Sequence, residues 1–199
     1  MSTDPLPPRS PRRLDREHSA LLLIDLQEKL LPVIASSETL LWNAGRLLRA
    51  ARLFEVPSDL TEQYPRGLGP TVPALLAEPA PRRHEKRAFS AAACADLLAD
   101  WSARGIRQVV IGGIESHVCV LQSCLDLLSE GWEVLVVVDA IGARCPLDHQ
   151  IAMGRMRDEG ATLLTTESVL FEWCESSTDP RFQSLSALVR ESPPAAGDG

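Results

Sequence analysis

Lysine is almost missing from this 199-residue chain: of its 20 basic residues, 18 are arginine and only Lys29 and Lys86 are lysine. Generic surface charge is therefore carried by arginine, and each lysine asks for a particular reason. Aromatic residues make up 5%, with four Trp and one Tyr, too few for a broad platform that stacks sugars or bases. The longest apolar runs, Ala20 to Ile24 and Val134 to Val138, fall far short of the roughly 20 residues of a membrane helix, so no membrane span is expected. Cys94, Cys119, Cys124, Cys145 and Cys174 contain no C-x-x-C pair, which argues against a disulfide framework and against a zinc site. His18, His84, His117 and His149 form no H-x-H or H-E-x-x-H spacing, so no metal is expected, and the absence of G-x-G-x-x-G speaks against a dinucleotide cofactor. A net charge of −7 repels a phosphate backbone, and nucleic acid is not an expected partner. The Pro- and Arg-rich N-terminus lacks the apolar segment of a secretory signal, and a cytoplasmic protein is expected.

What is present is an ordinary globular balance, 45% hydrophobic and 24% charged, at a length suited to one domain. Residues 1–17, with four Pro and four Arg, and residues 192–199 read as flexible tails around a domain over 18–191. Inside it, short apolar runs alternate with amphipathic stretches, which predicts an α/β domain: a six-stranded parallel sheet flanked by helices in three layers. The strands are expected at Ser19 to Asp25, Val56 to Thr61, His84 to Phe89, Gln108 to Ile111, Glu133 to Asp139 and Thr162 to Thr165. Helices are expected at Leu40 to Phe54, Cys94 to Arg104, Cys119 to Ser129, Leu147 to Glu159 and Phe182 to Arg190, with Tyr64 to Pro73 as loop.

Ligands of such sheets bind beyond the carboxyl ends of the strands, and three reactive groups fall there. Asp25 closes the first strand, Lys86 lies in the third strand region, and Cys119 follows the fourth strand through Gly112-Gly113. A thiol at a helix N-terminus faces unpaired N–H groups that favour the thiolate, and the same groups can hold an oxyanion. Each residue also has a plainer reading. Cys119 is equally a small core thiol, as Cys124 is on its apolar helical spacing, and Asp25 is equally a helix N-cap. Lys86 also reads as a solvated surface cation, but the scarcity of Lys and the flanking Ala88, Phe89 and Ala91 suggest partial burial. If Lys86 is buried it needs a carboxylate, and Asp25 is the candidate. His117 sits too close to Cys119 in a turn to face it, and Asp139 is expected to bind loop amides.

The segments LLLIDLQ, EKRAFSA and GGIESHVCVLQSCLDLLSEGWEV, in that order, resemble the isochorismatase-like cysteine hydrolase superfamily over about Ser19 to Arg190. TEQYPRGLGPTVP, VVVDAIGAR and MRDEGATLLTTESVL further resemble its isochorismatase domain-containing and YcaC-like subgroup. The resemblance implies an Asp25, Lys86, Cys119 triad. It also implies a cis Ile114-Glu115 peptide bond that turns the backbone N–H groups of Glu115 and Cys119 into one oxyanion hole. Family members that hydrolyse nicotinamide hold a metal with an Asp and several His after the second strand. TEQYPRGLG has no His and only Glu62 as an acid, which speaks against that activity. Isochorismatases proper cleave a vinyl ether without a Cys nucleophile, so Cys119 speaks against that reaction too.

The implied chemistry is hydrolysis of a small amide or related acyl bond through a Cys119 thioester, with Asp25 as base and Lys86 holding its charge. The expected substrate is a small, largely uncharged carboxamide, with Tyr64 and Phe89 as apolar walls and Arg66 and Arg87 as the nearest groups for a carboxylate. Two other classes stand beside this one: a non-catalytic oligomeric interaction module, and a redox sensor in which Cys119 is oxidised. A homo-oligomer is expected from the resemblance and from Val169, Leu170, Phe171 and Trp173, apolar residues that one small sheet need not cover.

Overall fold

The computed structural model describes residues 9–35, 37–77 and 80–194. Six strands, β1 Ser19–Ile24, β2 Ser58–Gln63, β3 Arg82–Lys86, β4 Gln108–Ile114, β5 Glu133–Gly142 and β6 Thr162–Leu164, form one sheet in the order β3-β2-β1-β4-β5-β6. Every pairing is parallel. Helices α1 Ser37–Leu53, α2 Pro65–Leu68, α3 Ala95–Ala103, α4 Leu121–Ser129, α5 Pro146–Asp158, α6 Thr166–Cys174 and α7 Phe182–Val189 supply the crossovers and cover the faces.

A strand buried on both faces needs apolar residues at every position, and SALLLI supplies them. Leu21 and Leu23 face the layer that holds Leu47, Leu170 and Trp173, while Ala20, Leu22 and Ile24 face Trp101, Val120 and Leu127. The strand ends at Asp25, whose φ of 54° leaves the extended region. No helix starts at Leu26, so Asp25 is not an N-cap. β2 runs two residues further along the chain than expected, to Gln63, where it still pairs with Lys86 of β3. β3 lies earlier than expected, at Arg82–Lys86. Tyr64 to Pro73 is broken by the single-turn α2.

Gly112 and Gly113 belong to β4, where their lack of a side chain allows close approach of neighbouring chain. A Cβ on Gly112 would lie 2.9 Å from Leu23 Cδ2, and one on Gly113 only 2.1 Å from Ile24 O, at a φ of 123°. The strand beside β1's last residues is thus a place only glycine fits.

Two expectations are corrected by contacts across the whole chain. From Arg9 onward the N-terminal segment is docked, not a loose tail. Leu14 is fully buried, its amide donates to Glu172 Oε2 at 2.6 Å, and Arg9 pairs with Glu175 at 2.8 Å. Residues 1–8 of the expected N-terminal tail and 195–199 of the C-terminal one lie outside the described residues. The late apolar segment is α6, a helix that the sequence pattern did not suggest. Its Val169, Leu170 and Trp173 are completely buried in the protein's own core, so three of the four residues taken as a surface for self-association are not on the surface.

Candidate active site

The crossover topology brings the ends of β1, β2, β3 and β4 to one rim. Register places Gln63 beside Lys86 and Ile24 beside both Thr61 and Gly113. Asp25 and Lys86 meet there in a buried ion pair, Nζ to Oδ2 at 2.6 Å, each side chain almost entirely removed from solvent. Burying a lone ammonium or carboxylate is prohibitive, and the pair makes the burial tolerable. Lys86 Nζ also donates to Gln63 Oε1 at 2.8 Å, and Thr61 Oγ1 donates to Asp25 Oδ1 at 2.8 Å.

Gln27 fixes this arrangement from behind. Its side-chain amide imitates a strand neighbour, accepting from Gln63 N at 2.7 Å and donating to Gln63 O at 3.1 Å and Gly69 O at 2.6 Å. Sequence reasoning missed Thr61, Gln63 and Gln27. The signal for the first two is the strand period of two: Thr61 and Gln63 share the Asp25 side, whereas Glu62 points away and accepts from Thr71 N at 2.8 Å.

Cys119 faces the pair, its thiol interacting with both Asp25 and Lys86. It sits within a five-residue π-turn, Ser116–Val120, that leads into α4, not at a free helix N-terminus. Burial, reinforced by the negative charge of Asp25 and opposed by Lys86, pushes this thiol up to about 12. The helix-end effect that favours the thiolate is thus outweighed by burial and by Asp25, the carboxylate that stands beside the thiol. Cys124 is a fully buried core residue. The Ile114-Glu115 peptide bond ahead of the turn is cis.

The turn is tied to the start of α5. Glu115 accepts from the backbone and side chain of Arg144 at 2.9 and 3.1 Å, and Ser116 Oγ lies 3.0 Å from His149 Nδ1. Burial lowers the His149 pKa. His117 approaches Asp148, at 3.9 Å. Asp139 accepts from the Thr166 amide and hydroxyl at 2.7 and 2.9 Å and so starts α6. Tyr64 and Phe89, expected as apolar walls, stand 41% and 51% exposed, and the Arg87 guanidinium covers the Tyr64 ring at 3.9 Å. A hollow of about 490 Å³ lies elsewhere, toward the start of β2, lined by Trp42, Leu48, Val56, Leu75 and Asp59 among others.

A parallel α/β sheet with a buried Asp–Lys pair facing a thiol at the carboxyl rim defines a hydrolase fold of a particular class. The chain belongs to the isochorismatase family, whose domain model matches residues 19–168. It is 40% identical over 185 residues to mouse isochorismatase domain-containing protein 2A, covering 93% of this chain and 89% of the mouse protein. Among solved structures it is similar to the MAR1 ribonuclease from Caenorhabditis elegans, with a TM-score of 0.84, 38% identity and coverage of 94% and 97%. It is also similar to two YcaC proteins, each at TM-score 0.80 and 29% identity. One is from Pseudomonas aeruginosa, with covalent acrylamide, and covers 92% of each chain. The other, from Escherichia coli, is an octameric hydrolase of unknown specificity and covers 91% of each. Among the described residues no helix is long and apolar enough to cross a membrane.

Proposed function

We propose that the protein is a cysteine hydrolase that cleaves a small, largely uncharged carboxamide or related acyl compound through a thioester on Cys119. The observation that carries this reading is the buried Lys86–Asp25 pair, 2.6 Å apart, set against the Cys119 thiol. Asp25 accepts the thiol proton as sulfur attacks the carbonyl carbon, and the backbone N–H groups of Glu115 and Cys119 receive the oxyanion. As the C–N bond breaks, Asp25 returns the proton to the leaving nitrogen, and the amine departs. Asp25 then takes a proton from water as that water attacks the thioester, and gives it to the departing Cys119 sulfur. The products are an amine and a carboxylic acid. Lys86 keeps the negative charge, on Asp25 or on sulfur, paired throughout.

The covalent acrylamide of the Pseudomonas YcaC supports a site that admits a small amide. The octameric Escherichia YcaC supports self-association of this chain. Five free cysteines fit a reducing, cytoplasmic setting. The net charge of −7 fits small-molecule substrates better than nucleic acid or a membrane surface. The ribonuclease among the structural neighbours makes RNA the rival substrate. The test uses metal-stripped protein on neutral short-chain amides, dicarboxylate mono-amides, nicotinamide and single-stranded RNA, with intact-mass trapping of an acyl adduct. Turnover of neutral amides, an adduct on Cys119 and loss of both in Cys119→Ala are expected. RNA cleavage that persists in Cys119→Ala without amide turnover would overturn the reading. So would a chain that only oxidises reversibly at Cys119, or only captures partners.

A further inference from the structure

Helix α5 is apolar on two opposite sides. Ala152 and Met156 are buried against the core, and His149 reaches Ser116 on that same side. At 3.6 residues per turn, Leu147, Ile151, Gly154 and Asp158 fall together on the far side. Leu147 is 64% exposed and Ile151 57%. A Cβ on Gly154 would meet nothing within 4 Å. Isolated exposed aliphatic residues are ordinary, but two large ones one turn apart, beside a glycine with open space above it, give a single helix a ridge and a low point next to it.

The charges say what fits. Asp148 stands in the first turn of α5 and Arg155 in its last turn, seven residues apart on the same flank of that stripe. They are too far apart to pair within one helix. When two identical helices pack antiparallel, like flanks face each other, so Asp148 of one copy lies opposite the partner's Arg155, twice by symmetry. The helix dipoles also oppose. The matching surface for this face is therefore the same face of a second copy.

We propose that α5 is a self-docking surface. Two copies of this chain pair α5 antiparallel about a twofold axis, Ile151 of each seating near the partner's Gly154 and Asp148 pairing with the partner's Arg155. This rests on the self-association proposed above and assigns the surface that performs it. The other side of α5 packs on the Ser116–Val120 turn, so the contact braces the segment that carries Cys119.

Sedimentation velocity of the full chain across the micromolar range tests it. The unaltered chain is expected to associate, and Ile151→Asp to shift it to a smaller species, raising the midpoint of dissociation at least about tenfold. Asp148→Arg and Arg155→Asp alone are expected to weaken association, and the two together to restore it, because the swapped charges match only across the axis. If Ile151→Asp associates as the unaltered chain does, or the double variant is no better than the singles, the α5 surface is wrong while self-association stands. An unaltered chain that stays monomeric would overturn both.

Discussion

Two buried carboxylate clusters stand at opposite ends of β2 and β3, one around Asp59 of β2 and one where Asp25 at the end of β1 meets Thr61 and Lys86, and they differ in what is left over. Near the start, Asp59 is completely buried and fully spent. Oδ1 accepts from Arg82 Nε at 2.9 Å and lies 3.0 Å from His84 Nε2, and Oδ2 accepts from Trp101 Nε1 at 3.0 Å and Arg82 Nη2 at 3.3 Å. Burial alone would raise its pKa, but the bonds from His84, Arg82 and Trp101 outweigh it and hold the carboxyl below its usual range. At the carboxyl rim, Asp25 has Lys86 and Thr61 and then faces a thiol. The first cluster has every bond it can make, so it fastens the edge strand β3. The second keeps acceptor capacity beside the Cys119 thiol, which is what the proposed chemistry needs. Residue type does not separate them; the acceptor capacity left unspent does.

The comparison breaks most sharply with one substitution in each cluster. Cys119→Ala is expected to lower amide turnover by about 10⁴-fold or more while leaving thermal unfolding close to unchanged. Asp59→Asn is expected to do the opposite. Losing one member of a buried charged network costs on the order of 3 kcal/mol of stability, while turnover per folded molecule is retained. The sign of its acid response also follows. Because the folded Asp59 pKa is lowered, its contribution is present above the unfolded carboxylate range and is lost as pH falls through the folded value. Urea titrations of both chains from neutral to acid pH check this, and an Asp59→Asn chain with the same acid limb would put the cluster's charge in question.

The rim itself was legible because its residues announce themselves: one of only two lysines, an Asp at the end of a wholly apolar strand, and a Cys after a Gly-Gly pair. What surrounds it was not. Thr61 closes the strand expected at Val56 to Thr61 and Gln63 lies just beyond it, and only the register of β2 with β1 and β3 turns them toward Asp25 and Lys86. The balance of influences on the Cys119 thiol is non-local for a related reason. A local rule about helix ends favours the thiolate, but burial and a carboxylate brought from 94 residues earlier dominate it. The inward face of α6 depends on Leu14 and Ser19, more than 150 residues away, with Trp173 Nε1 donating to Ser19 Oγ at 3.0 Å. No local period encodes that.

A smaller effect sharpens the contrast from the side of the lysine. Gln63 Oε1 is the neutral partner that, with Asp25, fixes where Lys86 points. Gln63→Met keeps the length of the side chain and removes the acceptor. One hydrogen bond to a charged group is worth about 1.5–3 kcal/mol, so kcat is expected to fall about 10- to 100-fold with KM little changed. Steady-state kinetics on the best amide decide it, with Gln63→Glu as the companion that keeps an oxygen in place. A Gln63→Met chain that loses KM alone would make Gln63 a substrate contact and not a positioning residue.

The last and smallest test compares two thiols on neighbouring turns. Burial pushes Cys124 up to about 12, and burial together with Asp25 pushes Cys119 to about the same value, whereas an unfolded thiol titrates near about 8.5. With the folded value raised, each thiol's contribution to stability is complete below the unfolded value and is lost as pH rises from there toward the folded one. The loss runs at about 1.4 kcal/mol per pH unit per thiol. Cys124→Ala is therefore expected to flatten the fall of unfolding free energy between about pH 9 and 11 by one thiol's worth. Cys119→Ala should flatten it by as much. Adding the paired change Asp25→Asn with Lys86→Met, which leaves no lone buried charge, to each single variant then separates the two sites. In the Cys124→Ala chain the neutral pair no longer raises Cys119, because the effect of Asp25 exceeds that of Lys86, so the remaining slope is confined to a narrower pH window. In the Cys119→Ala chain Cys124 keeps its full window, because burial alone raises it. Urea unfolding at matched ionic strength reads all four slopes, and equal changes on neutralising the Asp25–Lys86 pair would mean that the pair does not address the Cys119 sulfur.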